Sequence, residues 1–141
     1  MAKDIYHQIV KEALEKDGWQ ITHDPYLLTR NNSKSKPYEI DLRAEKILIA
    51  ERGIEHIAVE IKSFLGSSVT YDFHAAFGQY GIYRYFLETK DPDRRLFLAI
   101  TEEIYQSFFK DIDIEKLCIH FNINLIIFDS EHKNITQWIE R

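Results

Sequence analysis

The sequence predicts an α/β protein with a mixed central sheet and helices on its faces, in the order α, β-meander, α, β, α, β. Three observations carry this. Helical periodicity marks the opening residues and a long stretch near the middle of the chain. Between them lie short apolar and alternating runs broken by turn formers. After the second helix, apolar strand-like runs alternate with helical patterns.

Taken in order, Asp4 is placed to cap a helix over 4–16, with Ile5, Ile9, Val10, Ala13 and Leu14 on one stripe and Gly18 beyond its end. From Trp19 to Phe64 the runs 19–21, 26–28, 38–42, 47–50 and 57–64 read as an antiparallel meander. Asn31 to Pro37 is the most loop-like part, and Glu51-Arg52-Gly53 marks a hairpin before the longest strand. A second helix over 70–87 carries Phe73, Ala76, Phe77, Tyr80, Tyr83 and Phe86 at helical spacing, and Asp91-Pro92-Asp93 stops it. A strand over 95–101, helices over 102–109 and 114–121, and a last strand over 124–129 complete the reading. At 141 residues the chain suits one core, since single cores form at about 100 to 200 residues, so 1–141 is expected to be a single domain.

Composition excludes several function classes. The formal charge is −5, from 18 Lys and Arg against 23 Asp and Glu, which argues against a protein that coats nucleic acid nonspecifically. It leaves room for an enzyme that cuts nucleic acid with a carboxylate-held metal and a local basic rim. Cys118 is the single cysteine, so no intrachain disulfide forms and multi-cysteine zinc sites are excluded. The longest apolar runs fall far short of the roughly 20 residues that span a bilayer. The opening residues lack the apolar centre of a signal peptide, and a cytoplasmic location is expected. The six histidines show no zinc spacing, no serine sits in a nucleophile-elbow setting, and the glycines form no phosphate-cradling loop.

The chemistry concentrates in Ile57-Ala58-Val59-Glu60-Ile61-Lys62-Ser63-Phe64. In a strand, Ile57, Val59 and Ile61 share one face while Glu60 and Lys62 share the other. Tyr38 to Leu42 alternates in the same way, and an antiparallel pairing of the two strands brings Asp41 beside Glu60. Magnesium takes hard oxygen ligands and only one or two protein carboxylates, which Asp41 and Glu60 supply, and Lys62 is placed to orient water or stabilise charge on a phosphoryl group. An isolated Glu-x-Lys is more often a solvated pair on an amphipathic strand. Gln79 and Tyr83, four residues apart, project from one helix face. Glu12 lies at the border of the first helix's apolar stripe and is read as solvated. Arg30, Lys34, Lys36, Arg43 and Lys46 surround Asp41 and suit either phosphate contact or a solvated loop.

Asp41 entering a hairpin, a hydrophobic strand ending in Glu60-Ile61-Lys62, and Gln79-Tyr80-Gly81-Ile82-Tyr83 on the next helix resemble the PD-(D/E)xK nuclease superfamily, including its Gln-x-x-x-Tyr variant. More closely, Lys16-Asp17-Gly18-Trp19, Ile21-Thr22-His23-Asp24-Pro25, Ile40-Asp41-Leu42, Ala58 to Phe64 and Gly78-Gln79-Tyr80 are similar to the XisH family, the fdxN-element excision controlling factors, over nearly the whole chain. The superfamily resemblance implies a restriction-endonuclease-like fold and phosphodiester cleavage dependent on Mg2+ or Mn2+. It makes Asp41 and Glu60 the metal ligands, the Ile61 carbonyl a further ligand, Lys62 the catalytic lysine, and Gln79 and Tyr83 supports of DNA or site geometry. One departure is that Ile40, not the eponymous proline, precedes Asp41. The XisH resemblance implies a role in site-specific DNA excision beside a companion factor, XisI. That role is served either by cutting DNA or by an accessory module that keeps the nuclease fold and binds its companion or a recombinase. The aromatic-rich second helix and the edge that a small mixed sheet must protect leave room for a homodimer.

Overall fold

The computed structural model describes residues 2–23 and 47–141. Among the described residues six strands form one mixed sheet: β1 (Gln20–His23), β2 (Ile47–Arg52), β3 (Glu55–Ile61), β4 (Arg95–Thr101), β5 (Leu125–Asp129) and β6 (Asn134–Ile139). They lie side by side in chain order, antiparallel from β1 to β3, parallel from β3 to β5, and antiparallel again between β5 and β6. Four α-helices accompany them among the described residues: α1 (Ala2–Lys16), α2 (Val69–Lys90), α3 (Glu102–Ile104) and α4 (Ile112–His120), with a π-helical turn over Tyr105–Phe109 continuing α3. No described helix is long and apolar enough to cross a membrane.

Strand alternation divides the core into two layers. On one face Ile57, Val59, Phe97, Ala99, Ile126 and Phe128 pack with Ile9, Val10 and Leu14 of α1 and with Trp19. On the other, Ala58, Leu98, Ile100 and Ile127 pack with Phe73, Ala76, Tyr80, Tyr83 and Leu87 of α2 and with Phe109. The central strands are buried on both faces because the crossovers cover one and α1 covers the other. Arg94, whose side chain is nearly buried, binds the Asp91 carboxylate at 2.8 Å and donates to the Ile57 carbonyl at 3.1 Å, which fastens the end of α2 to β3.

Several expectations are met and others corrected. The second helix runs over Val69–Lys90, capped by Ser68, whose hydroxyl accepts from the Tyr71 N–H at 3.1 Å, and it ends at Asp91. Gly53 turns the β2–β3 hairpin with φ of 61°. The first helix begins at Ala2, ahead of Asp4. The helix read over 102–109 is one turn of α-helix followed by the wider π turn. Residues 124–129 do not hold the last strand, because β6 follows and pairs antiparallel with β5. The runs 26–28 and 38–42 and the loop 31–37 lie outside the described residues.

At the β5–β6 turn the His132 imidazole lies 2.7 Å from the Asp129 carboxylate. The hydrogen bond to Asp129 holds His132 above its ordinary 6.5, and the hydrogen bonds from His132 hold Asp129 below its ordinary 3.8. The aspartate's contribution is present above its unfolded value and lost as pH falls through the lowered one. The histidine's is present below its unfolded value and lost as pH rises through the raised one. The pair therefore stabilises most between about pH 4 and 6.5. His132→Ala is expected to lower the melting temperature slightly in that window and to leave it unchanged in alkaline buffer, the pair being solvent-exposed.

Candidate active site at the carboxyl end of β3

Glu60 is the penultimate residue of β3 and is 0% exposed. Alternation from Ile57 and Val59, which face α1, turns Glu60 with Ala58 toward α2. Its backbone lies between Ile47 of β2 and Leu98 of β4, so both hydrogen-bonding edges of β3 are filled at this point. Lys62 lies just past the strand. Its N–H donates to the Ala99 carbonyl at 3.1 Å, extending the parallel ladder by one residue, and its side chain is half-buried. Ile61, whose carbonyl stands at the strand's carboxyl end, is half-buried against the α1 side. The open end of a parallel strand set is where α/β proteins place their ligands.

The chain leaves the sheet abruptly. Phe64 adopts φ of 53°, a left-handed conformation that a bulky residue takes only when its surroundings enforce it. Here they do: its ring is buried and meets Phe109 edge to face at 5.5 Å. The Gly66 N–H donates to the Asp72 carboxylate at 2.9 Å, and α2 then runs back across the sheet above Glu60. The turn thereby fixes where Lys62 ends and α2 begins.

On α2, Tyr83 is 2% exposed and Gln79 is half-buried, so the Gln-x-x-x-Tyr pair lies on the flank and underside of the helix that covers Glu60. Between them Tyr80 has the clearest electrostatic tie to the site. Burial pushes its phenol up to about 12, the Glu60 carboxylate adding to the rise while the Asn124 N–H and Arg84 pull against it. The Tyr80 hydroxyl donates to the Leu96 carbonyl at 2.8 Å and accepts from the Asn124 N–H at 3.1 Å. From sequence, Tyr80 is recognised as part of the apolar stripe but not as a neighbour of the site. Its spacing from Phe73 and Ala76 carried only the packing signal.

The structure thus brings together Glu60, Lys62, Ile61 and the helix bearing Gln79 and Tyr83. Asp41 lies outside the described residues, as do the basic residues around it. The strand pairing drawn from sequence is corrected, because the antiparallel neighbour of β3 at Glu60 is Ile47 of β2 rather than the 38–42 run. Glu12, read from the sequence as solvated, is half-buried on α1, the helix that covers the opposite face of the sheet. Among the described residues no three His, Cys, Asp or Glu side chains gather closely enough to hold a metal. A buried carboxylate and a strand-end carbonyl form an all-oxygen partial set, which suits magnesium or manganese and not zinc.

A family model described as XisH protein matches residues 1–136. The crystal structure of an XisH family protein from Nostoc punctiforme PCC 73102 superposes with a TM-score of 0.86 at 40% identity, covering 97% of this chain and 100% of that one. That of an fdxN element excision controlling factor protein from Anabaena variabilis gives a TM-score of 0.84 at 36% identity, covering 97% and 99%. No curated protein matches the chain.

Proposed function

The chain belongs to the XisH family, and from that premise we propose that it is a metal-dependent, endonuclease-like excision controlling factor acting on DNA in the cytoplasm as a single restriction-endonuclease-like domain. The observation that supports this most is Glu60: a carboxylate at 0% exposure, one residue from the end of a central strand and two before Lys62. A buried carboxylate is costly unless it is paired, hydrogen-bonded or bound to a cation, and at a strand's carboxyl end, two residues before a lysine, a divalent cation suits it. Two flanking helical layers around a mixed sheet agree with a restriction-endonuclease-like fold.

In this reading Glu60, the Ile61 carbonyl and Asp41 would hold Mg2+ or Mn2+, which when bound acidifies water and neutralises phosphate charge. Lys62 orients the attacking water or steadies charge growing on the phosphoryl oxygens. Tyr83 and Gln79 hold the helix that roofs the site, and Tyr80 keeps that helix at fixed height over the sheet through its two hydrogen bonds. With an acidic chain overall, DNA affinity rests on a local basic rim, and a companion factor such as XisI supplies the rest.

The test is incubation of the protein, alone and with its companion, with supercoiled and branched DNA in magnesium. Cleavage that requires the metal and is lost in Lys62→Ala is the expected result. Absence of cleavage on every substrate, with and without the companion, would turn the assignment to a noncatalytic accessory module.

A further inference from the structure

The face of α2 turned away from the sheet is apolar. Between residues 71 and 85 no exposed position of the helix is Asp, Glu, Lys or Arg, and Tyr71 is 73% exposed, Tyr85 66% and Ile82 40%. An open groove of about 640 Å³ runs along it, lined by α2 residues from His74 to Tyr85 and by Phe121 at the end of α4. The stretch from Tyr71 to Tyr85 is about 21 Å long. Soluble monomers rarely leave so continuous an apolar surface in water.

We propose that this face is a two-fold interface with a second copy of the same chain, α2 packing antiparallel on α2 across the groove. The order of side-chain sizes identifies the occupant. Gly78 and Gly81 flank the midpoint, Phe77 and Ile82 stand outside them, and His74 and Tyr85 outside those, so the part of α2 that lines the groove runs from small to large side chains toward both ends. A two-fold axis at the midpoint sets each glycine against its partner's and His74 against the partner subunit's Tyr85. Such self-complementarity is what an isologous contact requires, and an unrelated partner gives no reason for it. Nothing lies within 4 Å of where a Cβ would stand on either glycine, so two helix backbones can approach closely there. Charge agrees as well: the antiparallel arrangement brings the acidic first turn of one α2, with Asp72, toward the basic last turn of the other, with Lys90, and opposes the helix dipoles.

This inference does not rest on the nuclease reading. Sedimentation equilibrium of the full chain is expected to show a dimer, weakened at least 30-fold, as an order of magnitude, by Tyr85→Lys, which removes an aromatic anchor and buries an ammonium in the apolar contact. The substituted position is exposed, so its melting temperature should hold. A mixture of His74→Cys and Tyr85→Cys chains should form a heterodisulfide under mild oxidation while neither variant alone cross-links, Cys118 being buried. A wild-type chain that is monomeric at its highest soluble concentration overturns the proposal, whatever else covers the face. So does a dimer indifferent to Tyr85→Lys, or cross-linking of either variant with itself.

Discussion

Glu60→Gln is expected to reduce metal-dependent DNA cleavage by about 10³-fold with the fold retained. The amide keeps the shape of the side chain, so packing beneath α2 survives. What is lost is the negative charge that would bind a divalent cation. Loss of cleavage in a variant that stays folded separates a site residue from a structural one. Lys62→Ala should lower the rate while Mn2+ binding, followed by calorimetry, stays close to wild type, because the lysine acts on charge or water and not as a ligand. Full cleavage by Glu60→Gln sinks this assignment.

Tyr80→Ala is expected to destabilise the protein by about 3–5 kcal/mol, and Tyr80→Phe by about 1–3 kcal/mol. The ring is fully buried, and its hydroxyl joins the start of β4 to the start of β5 through Leu96 and Asn124. Phenylalanine keeps the ring but leaves the Asn124 N–H without its acceptor. The wild-type phenol, pushed up to about 12, also sets an alkaline limit. The unfolded chain ionises this group near 10 and the folded one does not, so stability present below pH 10 is lost as pH rises toward 12, by about 3 kcal/mol. In Tyr80→Phe that loss should be absent, while the part owed to the Cys118 thiol, which burial pushes up to about 11, remains. Chemical denaturation from pH 8 to 11.5 on the order of half-unit steps checks both points. An unchanged alkaline slope in the Phe variant contradicts them.

Much of the fold was legible because its signals are local. The α2 stripe declares itself through periodicity, β4 and β5 through their apolar runs, and α2 declares its end at Asp91-Pro92. The strand β6 escaped because Asn134, Thr136 and Gln137 face solvent on an edge, and only Ile135, Trp138 and Ile139 are partly buried. The π turn escaped because the helical pattern of 102–109 does not reveal one extra residue per turn. At the site, alternation along β3 correctly sets Glu60 apart from Ile57 and Val59. The pairing partner was misread although the clue was present. A tight hairpin at Gly53 commits one edge of β3 to residues 47–52, which leaves no place at Glu60 for the 38–42 run. Tyr80's proximity to Glu60 depends on how α2 crosses the sheet, which no local pattern encodes.

The strand order bears on how the protein is made. With β1 to β6 laid down in chain order, each strand emerging from a ribosome finds its neighbour already in place at the growing edge, and the sheet can extend without threading or waiting for distant partners. Only α1 breaks that sequence. Trp19, just behind α1, stacks on Trp138 of β6 at 5.7 Å, and Lys16 reaches the Lys133 carbonyl. The earlier-made α1 therefore completes its docking only when β6 arrives. Shortening the chain before β6 should leave the α1 side of the sheet partly uncovered and sticky.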